Sequence, residues 1–529
     1  MHARHALTLG TLTALTLVGC DASSSNDDGG TTSRDDAANA SLDAARSDAG
    51  AWMGGDPTSG CEGRLEPAAP SGHLATVGDG TAASCTEDAL HAAVAEVDAA
   101  GGGTVRFDCG GAHTITLSRS VFVEGPAMLL DGGGEITLSG GGAVRVIELD
   151  HSVDFVLQRI TIRDGFVPAG AENESGAGLL SPWFGTLRVI DATFEHNVSA
   201  SQDHDVGGGA IYAGGLTEAV LSGVTFSHNS GSTGGAVLSR STNLRVIDSV
   251  FFANAATSEG EGQYGNGGGL YIDRMWLDAP VDFEICGSVF EANHARVHGS
   301  AFFSYNLEGT RAVFDRCTFR DNDMDGSVGG TGTVYHEGVP LVLSRSTFSG
   351  NRTTAHGGGL FLGGGTNAEV RDCTFQGNTT PGNAGALWAG NGQVEVSHTT
   401  FADNAADYGP VIFQGSSGHV RLTDTIFANN RTDNAFSALA CHETFEDGGG
   451  NVQWPATKNN GNADTPCAAG VLFADPRLGP LADHGGPTHT MALSVGSAAL
   501  GHAVVCEGWD QRGTPRSAPC DSGAYEDAP

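Results

Sequence analysis

Residues 346–378 read STFSGNRTTAHGGGLFLGGGTNAEVRDCTFQGN, a stretch that opens and closes on the same phrase, phenylalanine followed three positions later by asparagine: Phe348/Asn351 and Phe375/Asn378. Between the two lie a loop, the turn Gly358-Gly359 and the apolar run Leu360-Phe361-Leu362. The phrase recurs outward on both sides, at Phe194/Asn197, Phe226/Asn229, Phe251/Asn254, Phe290/Asn293, Phe319/Asn322, Phe401/Asn404 and Phe427/Asn430. From Phe194 to Phe427 eight intervals cover 233 residues, and the last four are 29, 27, 26 and 26. A period near that length, with a small-residue turn in every unit, is one coil of a solenoid per repeat. Gly208-Gly209-Ala210-Ile211, Gly234-Gly235-Ala236-Val237, Gly268-Gly269-Leu270-Tyr271 and Ala384-Gly385-Ala386-Leu387 supply the same turn and strand in other units. The expected class is all-β, a parallel β-helix.

In such a coil the phenylalanines stack inside the solenoid. Each asparagine is expected to take a left-handed turn conformation, which β-branched residues resist, and the stacked amides to bond to one another along the axis. Two positions before each phenylalanine stand Ala192, Val224, Ser249, Ser288, Cys317, Ser346, Cys373, Thr399 and Thr425, an inward column of small side chains. Strands stack at about 4.8 Å, so Cys317 and Cys373, two coils apart, are too distant to bond and read as small buried residues. Cys286 has no evident partner.

Upstream, Ser84-x-x-Glu87 has the form of a helix capping box. Leu90, Val94 and Val97 then share one face, and Gly101 stands where a helix would stop. A short helix there would plug the N-terminal end of the solenoid, whose bare edge would otherwise invite aggregation. The reading divides the chain into an export signal (1–19), an acidic tether of Ser, Asp, Ala and Gly (20–60), an N-terminal cap with the first coils (61–140), the repeats (141–435) and a C-terminal cap (436–529).

Three resemblances refine this. Arg4, the apolar run Ala6 to Val18 and Leu17-Val18-Gly19-Cys20 resemble a bacterial lipoprotein signal, which implies cleavage and lipidation of Cys20. The Phe-x-x-Asn and Gly-Gly-Ala-Ile repeats resemble those of polymorphic outer membrane proteins, and Cys85 to about Asn430 looks like a pectate-lyase-type (pectin-lyase-like) right-handed β-helix. The segment from Leu472 to Glu526 resembles the tail of choice-of-anchor Q domain proteins, a family of surface β-helices joined to varied anchors. It does so through Asp475-Pro476-x-Leu478-Gly479-Pro480-Leu481, Gly485-Gly486-Pro487-Thr488, Asp510-Gln511-Arg512-Gly513 and Cys520-Asp521-x-Gly523-Ala524-Tyr525-Glu526. Ala498-Ala499-Leu500-Gly501 departs from that pattern. Together these imply a secreted cell-envelope protein at the outer membrane or cell surface, held to the membrane by its N-terminal lipid.

A formal charge of −36 repels phosphate backbones and excludes nucleic acid as a natural partner. The same field disfavours acidic polysaccharides unless calcium bridges them. Without Cys20 ten cysteines remain, an even number for an oxidising compartment, with Cys85/Cys109, Cys441/Cys467 and Cys506/Cys520 as neighbouring candidates for disulfides.

The densest acid and imidazole cluster is Asp203-His204-Asp205, in the long loop between Asn197 and Gly208. It is the one catalytic candidate, against its reading as a solvated polar loop. His336-Glu337 and His356 are expected on the surface or in turns, and no arginines cluster at coil spacing. Asp321, Asp323 and Asp325 alternate like the start of a calcium loop, yet position twelve is Gly332 instead of glutamate. No cofactor is firmly implied beyond that calcium site.

The favoured function is a non-catalytic surface lipoprotein, adhesive or structural, with a surface polysaccharide or protein as ligand. The alternative is a carbohydrate-active enzyme, a polysaccharide lyase or glycoside hydrolase, on the same scaffold.

Overall fold

The computed structural model describes residues 60–527 apart from 260–264, 274–281, 307, 308, 310 and 326–328. The expected signal segment, Cys20 and nearly all of the expected acidic tether therefore lie outside the described residues. So does Gly326 of the proposed calcium loop.

The chain coils into a right-handed parallel β-helix; among the described residues it has three parallel sheets, of 26, 11 and 6 strands, and a separate antiparallel pair, Leu478–Ala482 with Thr490–Leu493. One coil shows how the sequence builds it. Leu341–Ser344 and Thr347–Ser349 lie on the longest sheet, Leu360–Leu362 on the 11-stranded sheet, and Ala368–Arg371 returns beside Leu341 one coil on. The register pairs Phe348 with Phe375 and Leu343 with Val370, so identical positions of successive units face each other.

Nine phenylalanines, Phe194 to Phe427, stack inside with ring centroids 4.5–5.5 Å apart, each buried at 0% exposure. The asparagines form a continuous ladder beside them, as the spacing predicts. Asn197 Nδ2 donates to Asn229 Oδ1 at 2.9 Å, Asn229 to Asn254 at 2.9 Å, Asn254 to Asn293 at 3.0 Å and Asn293 to Asn322 at 3.0 Å. Asn322 continues to Asn351 at 3.0 Å, Asn351 to Asn378 at 2.8 Å, Asn378 to Asn404 at 3.0 Å and Asn404 to Asn430 at 3.1 Å. From Asn229 onward each amide also donates to the carbonyl of a phenylalanine one coil back, as Asn378 does to Phe348 at 2.9 Å. Low dielectric makes such an amide series costly to interrupt.

The left-handed turn expected of these asparagines is taken elsewhere. Asn197, Asn229, Asn254, Asn293, Asn322, Asn351, Asn378, Asn404 and Asn430 are all absent from the residues of positive φ, and the residue before each one carries it instead. In order these are His196, His228, Ala253, Ala292, Asp321, Gly350, Gly377, Asp403 and Asn429. The preceding residue turns the chain, and the asparagine keeps its amide aimed at the interior. A second left-handed residue interrupts each coil of the longest sheet just before the small inward column, for example Asp191, Asp248, Arg316, Arg345 and Asp372. The small column is buried throughout, and Cys317 and Cys373 are free thiols within it. Burial pushes the Cys317 thiol up to about 12 and raises that of Cys373 as well.

Helix α1 (Glu87–Ala99) buries Leu90, Ala93, Val94 and Val97 against the first coils. Its N-cap is Thr86, whose side chain accepts from the Ala89 amide at 3.2 Å. The capping box expected at Ser84 does not form, because Ser84 closes a 3-10 turn and Glu87 instead accepts from the Ser118 amide at 2.8 Å.

Among the described residues four disulfides are present: Cys85–Cys109, Cys441–Cys467, Cys506–Cys520 and Cys61–Cys286. The last supplies the partner that Cys286 lacked in the sequence. It exists because residues 61–71 double back along the flank of the coils. Arg64 reaches Asp191 and Asp248, the Leu65 amide donates to Ser222, Ala68 exchanges two hydrogen bonds with Gln158, and Ser71 pairs with Thr104.

The C-terminal segment expected as an end cap is divided. Residues up to Phe473 continue the coils, with Leu472 paired to Val452. Residues 475–527 then run back along the same flank, from Asp424 and Gly450 to Arg345. Met491, Leu493 and Ala499 pack there on Ala402, Ile426 and Ala428, so this strap covers the outside of the last coils.

Candidate functional site

A cavity of 340 Å³ lies where the C-terminal strap runs along the left-handed turns of the longest sheet, lined by Arg316, Arg345, Gly486, Pro487, Gln511, Arg512 and Gly513. Arg316 and Arg345 hold the same left-handed position in consecutive coils, since Asp315 and Ser344 before them are register partners. Arginines do therefore cluster at coil spacing, contrary to the sequence-based expectation. They fall on turns outside the Phe-x-x-Asn phrase, where a linear search by that phrase does not align them.

Both guanidinium groups bind the Asp315 carboxylate: Arg345 Nε and Nη2 at 2.9 and 2.5 Å, Arg316 Nε at 2.8 Å. Burial raises the Asp315 carboxyl, but these bonds and charges outweigh it and hold it below its ordinary value. Across the cleft, Arg512 pairs with the fully buried carboxylate of Asp510, Nη2 to Oδ2 at 2.7 Å, and lies 3.6 Å from the centroid of the Tyr525 ring. Gln511 is consumed by structure, donating to Thr347 and Thr488 and accepting from Thr374. The guanidinium groups around the cleft are thus engaged in structure, Arg316 and Arg345 on Asp315, and Arg512 on Asp510, with Arg512 Nη2 also donating to the Glu526 carbonyl at 2.5 Å.

The residues singled out by sequence distribute otherwise. Asp205 pairs with Arg240 and with His204, both at 3.3 Å, while the Asp203 backbone carbonyl accepts from Ser232. Arg240 also approaches Asp273 at 3.8 Å, so Asp205 stands in a charge network with a neighbouring coil. Asp323 and Asp325 both reach His294, at 2.8 and 3.5 Å, whereas Asp321 turns toward Arg320. Burial lowers the His294 imidazole, yet the two aspartates outweigh it and raise its pKa. Among the described residues no group of three or more His, Cys, Asp or Glu converges as a metal site.

His336 is not on the surface. It points into the core at 0% exposure, with Nδ1 2.6 Å from Ser304 Oγ and Nε2 2.8 Å from the Val339 carbonyl, and burial pushes its pKa down to about 4.

One feature of the exterior escaped the sequence reading. Tyr271, Phe303, Tyr335, Phe361, Trp388, Phe413 and His442 form a second stack on the outer face of the 11-stranded sheet, with centroids 4.2–5.4 Å apart. The signal was an aromatic just after the first inward residue of these strands. Neighbouring rings lie within 25° of parallel, so they face one another along the axis and turn their edges outward. A sugar stacks on a ring face, which this ladder spends on itself.

Comparison with known proteins agrees with the fold. A family model described as "Right handed beta helix region" matches residues 309–444. The metabotropic glutamate receptor-like protein Q of Dictyostelium discoideum is 27% identical over 173 residues, which is 31% of this chain and 13% of that protein. No helix among the described residues is long and apolar enough to cross a membrane.

Proposed function

We propose that this chain is an exported lipoprotein of the cell envelope, anchored through Cys20 and displayed at the outer membrane or cell surface, whose β-helix serves adhesion or architecture without catalysis. The observation that carries this reading is the pairing of the exterior charges. Asp205 is matched by Arg240, Asp323 and Asp325 by His294, and Asp315 by two arginines, where hydrolysis by paired carboxylates needs two acids facing one substrate bond. Four disulfides suit an oxidising compartment. A receptor-like relative, matched over a small part of its length, accords with a displayed binding surface.

The test is a screen of acidic and neutral polysaccharides, with and without calcium, following reducing ends and unsaturated-uronate absorbance, alongside protease shaving of intact cells. Absence of turnover with accessible protein is the expected result. Turnover that vanishes when Asp203 and Asp205 are replaced, with the fold intact, would overturn it in favour of a carbohydrate-active enzyme.

A further inference from the structure

We propose that an extended peptide segment of a partner protein adds as a further strand to the free edge of Val121–Val123, in the groove between that edge and helix α1. This pairing depends neither on the lipid anchor nor on the absence of catalysis.

Val121–Val123 is the end strand of the 11-stranded sheet and pairs on one side only, with Ile147–Leu149. In the coil before it, helix α1 stands where a strand of that sheet would lie. A helix bonds its backbone to itself and is about 10 Å across, against about 4.8 Å between strands, so it closes the end of the core without pairing with the edge. A cavity of 650 Å³ remains between the two, walled by Val94 and Ala95 of the helix and by Phe122 and Pro126 opposite.

The edge is open only at its centre. Glu87, at the start of the helix, accepts from the Ser118 and Arg119 amides at 2.8 and 3.2 Å, and Asp98, near its end, from those of Glu124 and Gly125 at 3.2 and 2.9 Å. Within the ladder the Val121 amide donates to the Val146 carbonyl and the Val123 carbonyl accepts from the Asp150 amide, both at 2.9 Å. Alternation along a parallel strand turns the amide and carbonyl of Phe122 the other way, toward the groove, where among the described residues they have no protein partner. A donor and an acceptor on one residue of an open edge match the main chain of an extended polypeptide. The two clamping carboxylates lie on the helix about 16 Å apart, the span of about five extended residues.

Side chains set the composition of the segment. The Phe122 ring is 42% exposed beside the buried Val94, so the middle residue is apolar. Arg119 and Glu124 stand exposed at the Glu87 and Asp98 ends, and their side chains form no ion pair among the described residues. A segment running parallel to the strand thus carries an acidic residue first and a basic one last; such exposed charges set direction more than strength. The chain's own residues ahead of Gly60 are a poorer occupant. A Cβ on Gly60 would fall 2.9 Å from Arg316 Nη1, and Asp315 beside Arg316 lies seven register steps on from Arg106, about 34 Å along the axis.

The experiment is fluorescence anisotropy of the full chain with three labelled pentapeptides: Glu-Thr-Val-Thr-Lys, its charge-reversed form Lys-Thr-Val-Thr-Glu, and the first peptide N-methylated at its three central amides. The first is expected to bind at least tenfold more tightly than either of the others. Two variants should each weaken it at least tenfold with the unfolding midpoint unchanged. Ala95→Trp fills the groove from an exposed helix position, and Phe122→Pro removes the free amide while Val121 and Val123 keep the ladder bonds. Should Phe122→Pro fail to fold, Ala95→Trp carries the test. Either control peptide equalling the first, no binding at all, or an Ala95→Trp protein that binds normally would each overturn the proposal. So would tighter binding of a peptide of residues 46–58, which would give the groove to the chain itself, or a dimer in sedimentation that Ala95→Trp dissolves, which would give it to a second copy.

Discussion

Arg516 and Asp372 are joined at 3.0 Å across 144 residues, in a side-chain pair that solvent scarcely reaches. The same guanidinium lies 3.4 Å from Glu526, so one buried cation ties the C-terminal strap both to itself and to the coil beneath. Burial pushes the Asp372 carboxyl up, and Arg516 opposes that shift.

Arg516→Met should leave two carboxyls buried without their cation, a loss on the order of 3–5 kcal/mol when one partner of a buried pair is removed. Chemical denaturation would show it, and limited proteolysis should cut within residues 475–527 before the coils. A double variant with Asp372→Asn should recover part of the loss; an unchanged midpoint in Arg516→Met would mean the strap is held by its apolar contacts alone.

Asn378→Leu deletes one rung of the ladder. It takes the acceptor from Asn351 Nδ2 and the donor from the Phe348 carbonyl, both buried, at a cost of about 2–4 kcal/mol. The turn itself should persist, since Gly377 and not Asn378 carries the positive φ. A thermal midpoint equal to wild type would contradict the ladder.

Cys61→Ser should free the N-terminal strap. The disulfide closes a loop of 225 residues, and losing such a constraint costs about 2–5 kcal/mol. Protease access at residues 61–71 is the measurement, with the coils expected to stay intact. Equal digestion of variant and parent would show that Arg64 and Ala68 suffice to hold the strap.

Acid should weaken the fold through its histidines. His298 and His336 are lowered to about 4 and His398 to about 3, in each case first by burial, with Arg516 adding to His398. A base depressed in the folded state contributes stability that is whole above its unfolded pKa of about 6.5 and is lost as pH falls toward the folded value. Asp372, Asp424 and Glu526, raised by burial, act in the opposite sense as they take up protons. Urea midpoints should therefore fall from pH 7 to pH 5, and His336→Gln should flatten that slope by on the order of 1–2 kcal/mol. A slope unaffected by the substitution would place the acid sensitivity elsewhere.

Under the proposed lipoprotein reading, Cys20→Ser should abolish lipid attachment, because Cys20 is the cysteine that directly follows the signal-like run Ala6 to Val18. Mass spectrometry of the parent protein finding an unmodified mature N-terminus would count against the anchor.

The Phe-x-x-Asn period, the inward small column and the turn glycines were legible because each coil repeats the same local physics: position along the chain maps onto position around the axis, and alternation maps onto inside and outside. Phe348, Asn351 and Ser346 could thus be assigned to the interior from spacing alone. Which residue takes the left-handed turn was not, since Gly377 and Asn378, like Ala253 and Asn254, are adjacent and only the backbone path distinguishes them. Nor could spacing reveal Cys61–Cys286 or Arg516–Asp372. Those contacts join segments that obey no period, and where a strap lands on a solenoid depends on complementary charge and apolar surface presented by many coils at once, which exists only after the coils have stacked.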